Sequence, residues 1–101
     1  PQDAAPVDAQ TIMDSSARYF GITLDDLTGS SRVANIASAR QIAMYLCREL
    51  TDLSLPKIGA KFGGRDHSTV LHAVRKISEK IGVDRALYTQ VTELTNQIKQ
   101  S

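Results

Sequence analysis

Residues 54–80 read Ser54-Leu55-Pro56-Lys57-Ile58-Gly59-Ala60-Lys61-Phe62-Gly63-Gly64-Arg65-Asp66-His67-Ser68-Thr69-Val70-Leu71-His72-Ala73-Val74-Arg75-Lys76-Ile77-Ser78-Glu79-Lys80. The pattern predicts a short helix, a tight glycine turn and a second helix. Ser54 offers a side-chain acceptor at a helix start, and Pro56, with a preset φ and no N–H, suits the first turn. Ile58 and Phe62, four apart, make one buried stripe, and Gly59 between them would let a neighbouring helix approach closely. Gly63 and Gly64 stop the helix, because glycine takes left-handed φ without a Cβ penalty. Asp66 stands where the next helix needs an N-cap acceptor. Val70, Val74, Ile77 and Ile81 then recur at helical spacing on one apolar face. Two helices joined by a short turn containing glycine have the shape of a helix-turn-helix.

The chemistry lies at the start of the second helix. In a helix-turn-helix, the N-terminal residues of the second helix reach base edges in the major groove. Here these are Asp66, His67, Ser68 and Thr69, all short and polar. Arg65 precedes them, and Lys76 follows Thr69 by seven residues on the same outward side. An Asp beside a His can accept from a cytosine or adenine amino group while the His donates to a base acceptor. The hydroxyls of Ser68 and Thr69, with free N–H groups of the helix start, suit phosphate. The plain alternative is that Asp66 only caps and its neighbours are solvated. For Asp-x-Ser-Thr taken alone, capping is the commoner use.

The string Phe62-Gly63-Gly64-Arg65-Asp66-His67-Ser68-Thr69-Val70-Leu71-His72-Ala73 resembles the signature of the C-terminal DNA-binding domain (domain IV) of the DnaA family, the bacterial chromosomal replication initiators. Arg40-Gln41-Ile42-Ala43-Met44-Tyr45-Leu46 and Leu53-Ser54-Leu55-Pro56-Lys57-Ile58-Gly59 are similar to that family too. The resemblance covers about residues 7–80, with several motifs in family order and at family spacing.

Length and composition agree with one small all-α domain. The chain has 101 residues, 42% of them hydrophobic, and a single cysteine, Cys47, which excludes an internal disulfide and fits a reducing cytoplasm. No apolar run is long enough to span a bilayer, and no signal peptide is expected. The first residue is Pro, which is expected of a domain excised from a longer protein. The net charge of +1 hides an asymmetry: −4 over residues 1–31, +5 over 32–80, and zero over 81–101. Positive charge thus gathers around the helix-turn-helix, as for a nucleic-acid binder, although many soluble domains carry such a bias.

Taken in order, residues 1–6 look like a linker end and 7–101 like the domain, with about six helices. Asp8 caps a helix to about Phe20, with Ile12, Ala17 and Phe20 as core contacts and Gly21 as its end. Thr23 and Asp26 have capping-box spacing at the head of a very short helix holding Leu24 and Leu27. A long helix of about residues 36–51 carries the apolar stripe Ala39, Ile42, Ala43, Leu46, Cys47 and Leu50, with Arg40, Met44 and Arg48 pointing the other way. Cys47, inside the stripe, reads as a core residue. Two outward arginines beside a basic helix-turn-helix are candidates for phosphate contacts. Gly82-Val83 is a break, and Asp84 caps a last helix through about Gln100, a buttress with Leu87, Val91, Leu94 and Ile98 as its stripe.

The resemblance implies double-stranded DNA as partner, read as DnaA boxes at a replication origin. It assigns base reading to Asp66, His67, Ser68 and Thr69, with Pro56 at the start of the first helix of the motif, and minor-groove insertion to Arg32. A narrow, strongly negative A·T-rich minor groove favours such a guanidinium. It assigns backbone contacts to Arg40, Gln41, Arg48, Leu55, Lys57, Arg65 and Lys76. It also implies a cytoplasmic, nucleoid-associated bacterial protein. Regulatory proteins would approach the DNA face, and the domain would be monomeric when isolated. Three departures stand out. Ser68 replaces a threonine, losing a methyl for a thymine. The loop before the long helix keeps only Arg32 and Arg40 charged, with Ala39 in place of a proline. Two glycines in the turn predict a longer, looser connection. Another helix-turn-helix protein, such as a transcription regulator reading palindromes as a dimer, is the alternative. An enzyme or metal site is not expected: His67 and His72 are five apart, and no phosphate-binding loop is present, so ATP, used by intact initiators, has no place in this chain.

Overall fold

Five of the helix starts carry their own acceptor. Asp8 Oδ1 accepts from Thr11 N at 2.8 Å, Ser54 Oγ from Lys57 N at 3.3 Å, Asp66 Oδ1 from Thr69 N at 3.0 Å, and Asp84 Oδ1 from Leu87 N at 3.1 Å. Thr23 and Asp26 close a reciprocal capping box, each accepting the other's N–H at 3.0 Å. Each cap satisfies an N–H that the helix leaves unpaired. In the computed structural model, which describes residues 7–100, the helices are α1 (Ala9–Phe20), α2 (Leu24–Thr28), α3 (Ala34–Leu50), α4 (Leu55–Lys61), α5 (His67–Ile81) and α6 (Arg85–Lys99). There is no strand among the described residues. The expected linker end, residues 1–6, lies outside them.

Helix α3 is the hub: it packs on α1, α2, α4 and α5, while α6 closes over α1 and α5. Ile42, Ala43, Leu46 and Cys47 are fully buried or nearly so, as the stripe predicts. They meet Ile12 of α1, Leu27 of α2, Ile58 and Phe62 at the end of α4, Val70 and Ile77 of α5, and Leu94 and Ile98 of α6 in one core. Tyr19 Oη donates to Glu93 Oε1 at 2.6 Å, pinning α1 to α6.

Because α3 has neighbours on so many sides, its buried face is wider than the apolar stripe shows. Met44, expected to point outward, is 2% exposed. Arg40, also expected outward and toward phosphates, is 7% exposed. Its guanidinium turns onto the short helix α2 and the loop after it. Nε donates to the Leu27 carbonyl at 3.2 Å, Nη1 to Ser31 at 3.1 Å and Nη2 to Asp26 at 2.8 Å. A cation at the carbonyl end of a helix satisfies both the orphan acceptors and the helix dipole. Burial, and then the neighbouring Arg65, pull the Arg40 pKa below its ordinary value, against which Asp26 acts. Arg40 is thus a structural residue and not one of the exposed phosphate ligands. Of the two leucines of α2, Leu27 is fully buried and Leu24 is 39% exposed, and α3 begins two residues earlier than expected, behind Val33, which gives no side-chain cap.

The glycine turn is tight, not loose. The Gly59 carbonyl gathers the N–H groups of Phe62 at 3.1 Å, Gly64 at 3.1 Å and Arg65 at 2.9 Å. A Cβ on Gly59 would lie 2.0 Å from the Arg65 carbonyl oxygen, so it is the turn itself, more than another helix, that comes close. Gly63 and Gly64 take φ of +83° and +79°, and a Cβ on Gly63 would lie 2.1 Å from the Thr28 carbonyl oxygen. Gly63 therefore lets the turn seat against the end of α2, while Gly64 supplies a second left-handed φ in open space.

Arg40→Ala leaves three carbonyls without their donor, and should destabilise the fold by about 3 kcal/mol or more. Arg48, exposed on the same helix, should cost less than about 0.5 kcal/mol when changed to Ala; urea unfolding of both variants checks the contrast. Asp8 and Asp66 are each held below the ordinary value of 3.8, first of all by the capped backbone N–H groups. Their stabilisation is complete above that value and is lost as pH falls through it toward the lower folded values. A double Asp8→Asn, Asp66→Asn variant keeps both caps without the titration. Its melting temperature should fall less steeply than the native chain's below about pH 4. Burial pushes the Cys47 thiol up to about 12; a thiol reagent at neutral pH should therefore modify it only at the rate of unfolding.

Candidate nucleic-acid interface

The exposed first turn of α5 is the most distinctive polar surface of the fold. The apolar face of α5 is committed to the core through Val70, Ala73 and Ile77. That leaves His67, Ser68 and Thr69 exposed at its start, directly after the turn. Asp66 uses Oδ1 for the cap, so the capping reading holds, and its second carboxylate oxygen is left for a base amino group. Backbone N–H groups of Thr69 and Ser68 hold its pKa down, together with the nearby His67, and the group is anionic at neutral pH. An anion with its N–H partners already engaged does not attract phosphate. The expected use of this helix start for phosphate is therefore weakened, while acceptance from a base remains.

Downstream, Thr69, His72 and Lys76 border a groove between α3 and α5, whose other wall includes Ala37, Gln41 and Met44. Gln41 and Lys76 continue into an adjoining groove that also takes in Ser38 and Lys80. Arg40 and Arg65 border the same groove as Thr69, so the structure brings together Thr69, Gln41, Lys76, Arg40 and Arg65 from the expected set. It adds His72 and Lys80, which sequence reasoning passed over. Lys80 lies one helical turn beyond Lys76, and that four-residue spacing was the available signal.

The remaining expected residues are spread around this centre. Pro56 and Lys57 are exposed in the first turn of α4, and Leu55 is half-buried at its start. Lys57 also borders a separate cleft shared with Asp8, Ser54 and Lys61. Arg48 is exposed near the end of α3 and donates to the Leu53 carbonyl at 3.2 Å. Arg32 is exposed in the connection between α2 and α3. No hydrogen bond or ion pair among the described residues engages the side chains of Arg32, Lys57 or Lys76.

Arg65 departs from expectation. It is half-buried, and its guanidinium is occupied: Nη1 donates to the carbonyls of Phe62 and, at 3.5 Å, Thr28, and Nη2 donates to that of Gly29. Its fork faces the loop after α2, and the residue also borders the groove between α3 and α5. The described residues hold no cluster of His, Cys, Asp and Glu suited to a metal ion, and no helix among them is long and apolar enough to cross a membrane.

Residues 9–77 match the family described as the bacterial dnaA protein helix-turn-helix. The chain is 60% identical over 95 residues to the chromosomal replication initiator protein DnaA of Cutibacterium acnes, covering 94% of this chain and 19% of that protein. It is 62% identical over 97 residues to the protein of the same name from Leifsonia xyli subsp. xyli, covering 96% of this chain and 20% of that one. The crystal structure of a DNA replication initiation factor superposes with a TM-score of 0.78 at 30% identity, over 91% of this chain and 29% of the other. The chain spans about a fifth of the length of the curated relatives it matches. Motif order, helical architecture and similarity converge, and the chain belongs to the DnaA family as its C-terminal helix-turn-helix domain.

Proposed function

We propose that this domain binds double-stranded DNA in a sequence-specific way, at DnaA boxes of a chromosomal origin, so that replication can be initiated. The observation that carries this reading is the first turn of α5. Four short polar residues stand free of the core at the head of the second helix of a rigid helix-turn-helix. His67, Ser68, Thr69 and the free oxygen of Asp66 would read base edges in the major groove. Arg32, unpaired on its loop, would enter the adjacent minor groove. Pro56 would join the base contacts from the start of α4, while Lys76, Gln41, Lys57 and Leu55 would hold the backbone on either side of α5, with Arg48 at the edge of this surface. Relatives named as chromosomal replication initiators support the biological setting. The domain would act as a monomer on an asymmetric site in the cytoplasm, at the nucleoid, and regulatory proteins would compete for the same face. It would need no cofactor, with ATP acting elsewhere in an intact initiator.

Fluorescence anisotropy with a labelled duplex carrying a DnaA box, against a scrambled duplex, tests the reading at two salt concentrations. His67→Ala and Arg32→Ala should each weaken box binding by about 1–3 kcal/mol, about fivefold to 150-fold, with little change on scrambled DNA. Lys76→Ala should weaken both alike and reduce the salt slope by about one unit. Equal native affinity for both duplexes, lost with salt, would overturn specific reading. Tighter binding to a palindrome as a dimer would favour a transcription regulator.

A further inference from the structure

The loop that carries Arg32 has no core residue of its own between Leu27 and the start of α3. Thr28 and Gly29 are half-buried, Ser30, Arg32 and Val33 are exposed, and Ser31 is only partly covered. What holds it is backbone: every carbonyl from Asp26 to Gly29, and that of Ser31, accepts from a guanidinium. Arg40 reaches these carbonyls from α3. Arg65 reaches Thr28 and Gly29 from the turn immediately before the first turn of α5, and holds the Phe62 carbonyl with the same nitrogen. Gly63 meets the Thr28 carbonyl at the same point, with room for no side chain. The turn of the helix-turn-helix and the Arg32 loop are therefore fastened at one place, by one planar fork.

We infer that Arg65 is a positioning residue: it spends its guanidinium on the Thr28 and Gly29 carbonyls to fix where Arg32 stands relative to the first turn of α5. It thereby couples minor-groove to major-groove reading. The inference rests on the DNA-binding function proposed above and replaces the phosphate contact expected of Arg65. Lysine, with the same charge but a single ammonium, cannot reproduce the planar fork.

The test is a double-mutant cycle in the anisotropy assay, with circular dichroism confirming a folded domain. Arg65→Lys should lose about tenfold in affinity for the box, keep its affinity for scrambled DNA and keep the salt slope. In an Arg32→Ala background the same change should cost less than about twofold, because the group it positions is gone. Inserting one glycine between Ser30 and Ser31 loosens the loop without touching Arg65. It should produce the same selective loss, which keeps the test open if Arg65→Lys does not fold. Native-like box affinity in either variant, or losses that multiply with that of Arg32→Ala, would overturn the inference. If the native chain itself shows no box preference, the proposed function fails instead.

Discussion

Two arginine side chains bound to the open end of a five-residue helix hold this domain in register. Helix α2 is too short to be stable alone, and its last carbonyls would be orphaned where it meets α3. Arg40 and Arg65 supply the donors, from the central helix and from the glycine turn. Two like charges are thereby drawn together, and the Arg40 pKa falls in part for that reason. The carbonyl dipoles that converge on both forks offset this repulsion. Remove the clamp, and the loop bearing Arg32 is tied to the rest of the fold by little more than its own chain.

The apolar core serves the same end from inside. Phe62, fully buried at the end of α4, anchors one side of the turn, and Val70, fully buried one turn into α5, anchors the other. Between them the backbone is drawn in until the Gly59 carbonyl receives three N–H groups. The first turn of α5 cannot tilt without disturbing this buried pair, so the polar residues there are presented on a rigid support. Helix α6 lies behind, packed on α1 and α5; it adds no residue to the groove lined by Thr69 and His72, while its Ala86, Leu87 and Gln90 wall the adjoining one.

Most of this was legible in the residues. Local signals sufficed where a cap and a stripe agreed, as at Asp8, Thr23, Ser54, Asp66 and Asp84, and helix boundaries fell within about two residues there. The cases that failed were those decided by tertiary contact. Helical periodicity put Arg40 and Met44 opposite the apolar stripe, but it carries no information about a second layer packed on that side. The carbonyls that recruit Arg40 and Arg65 belong to a loop 9 to 37 residues away in sequence. Backbone acceptors leave no trace in side-chain pattern. The paired glycines were read as slack for the same reason: the oxygen atom that Gly63 accommodates belongs to Thr28. Of the expected interface, the first turn of α5, Gln41, Lys76 and Arg32 stand exposed or bordering open grooves; Arg40 and Arg65 border one of these grooves too, but their forks are bound to backbone carbonyls.

The packing of Gly59 and Gly63 also limits how such a domain can diverge. At both positions a single added carbon would fall inside the contact distance of a backbone oxygen. The geometry of the turn is therefore closed to stepwise adjustment: variation there is eliminated by misfolding before binding is ever tested. Side chains such as Ser68 and those of the loop around Arg32 stand exposed, and can change while the scaffold that presents them stays the same.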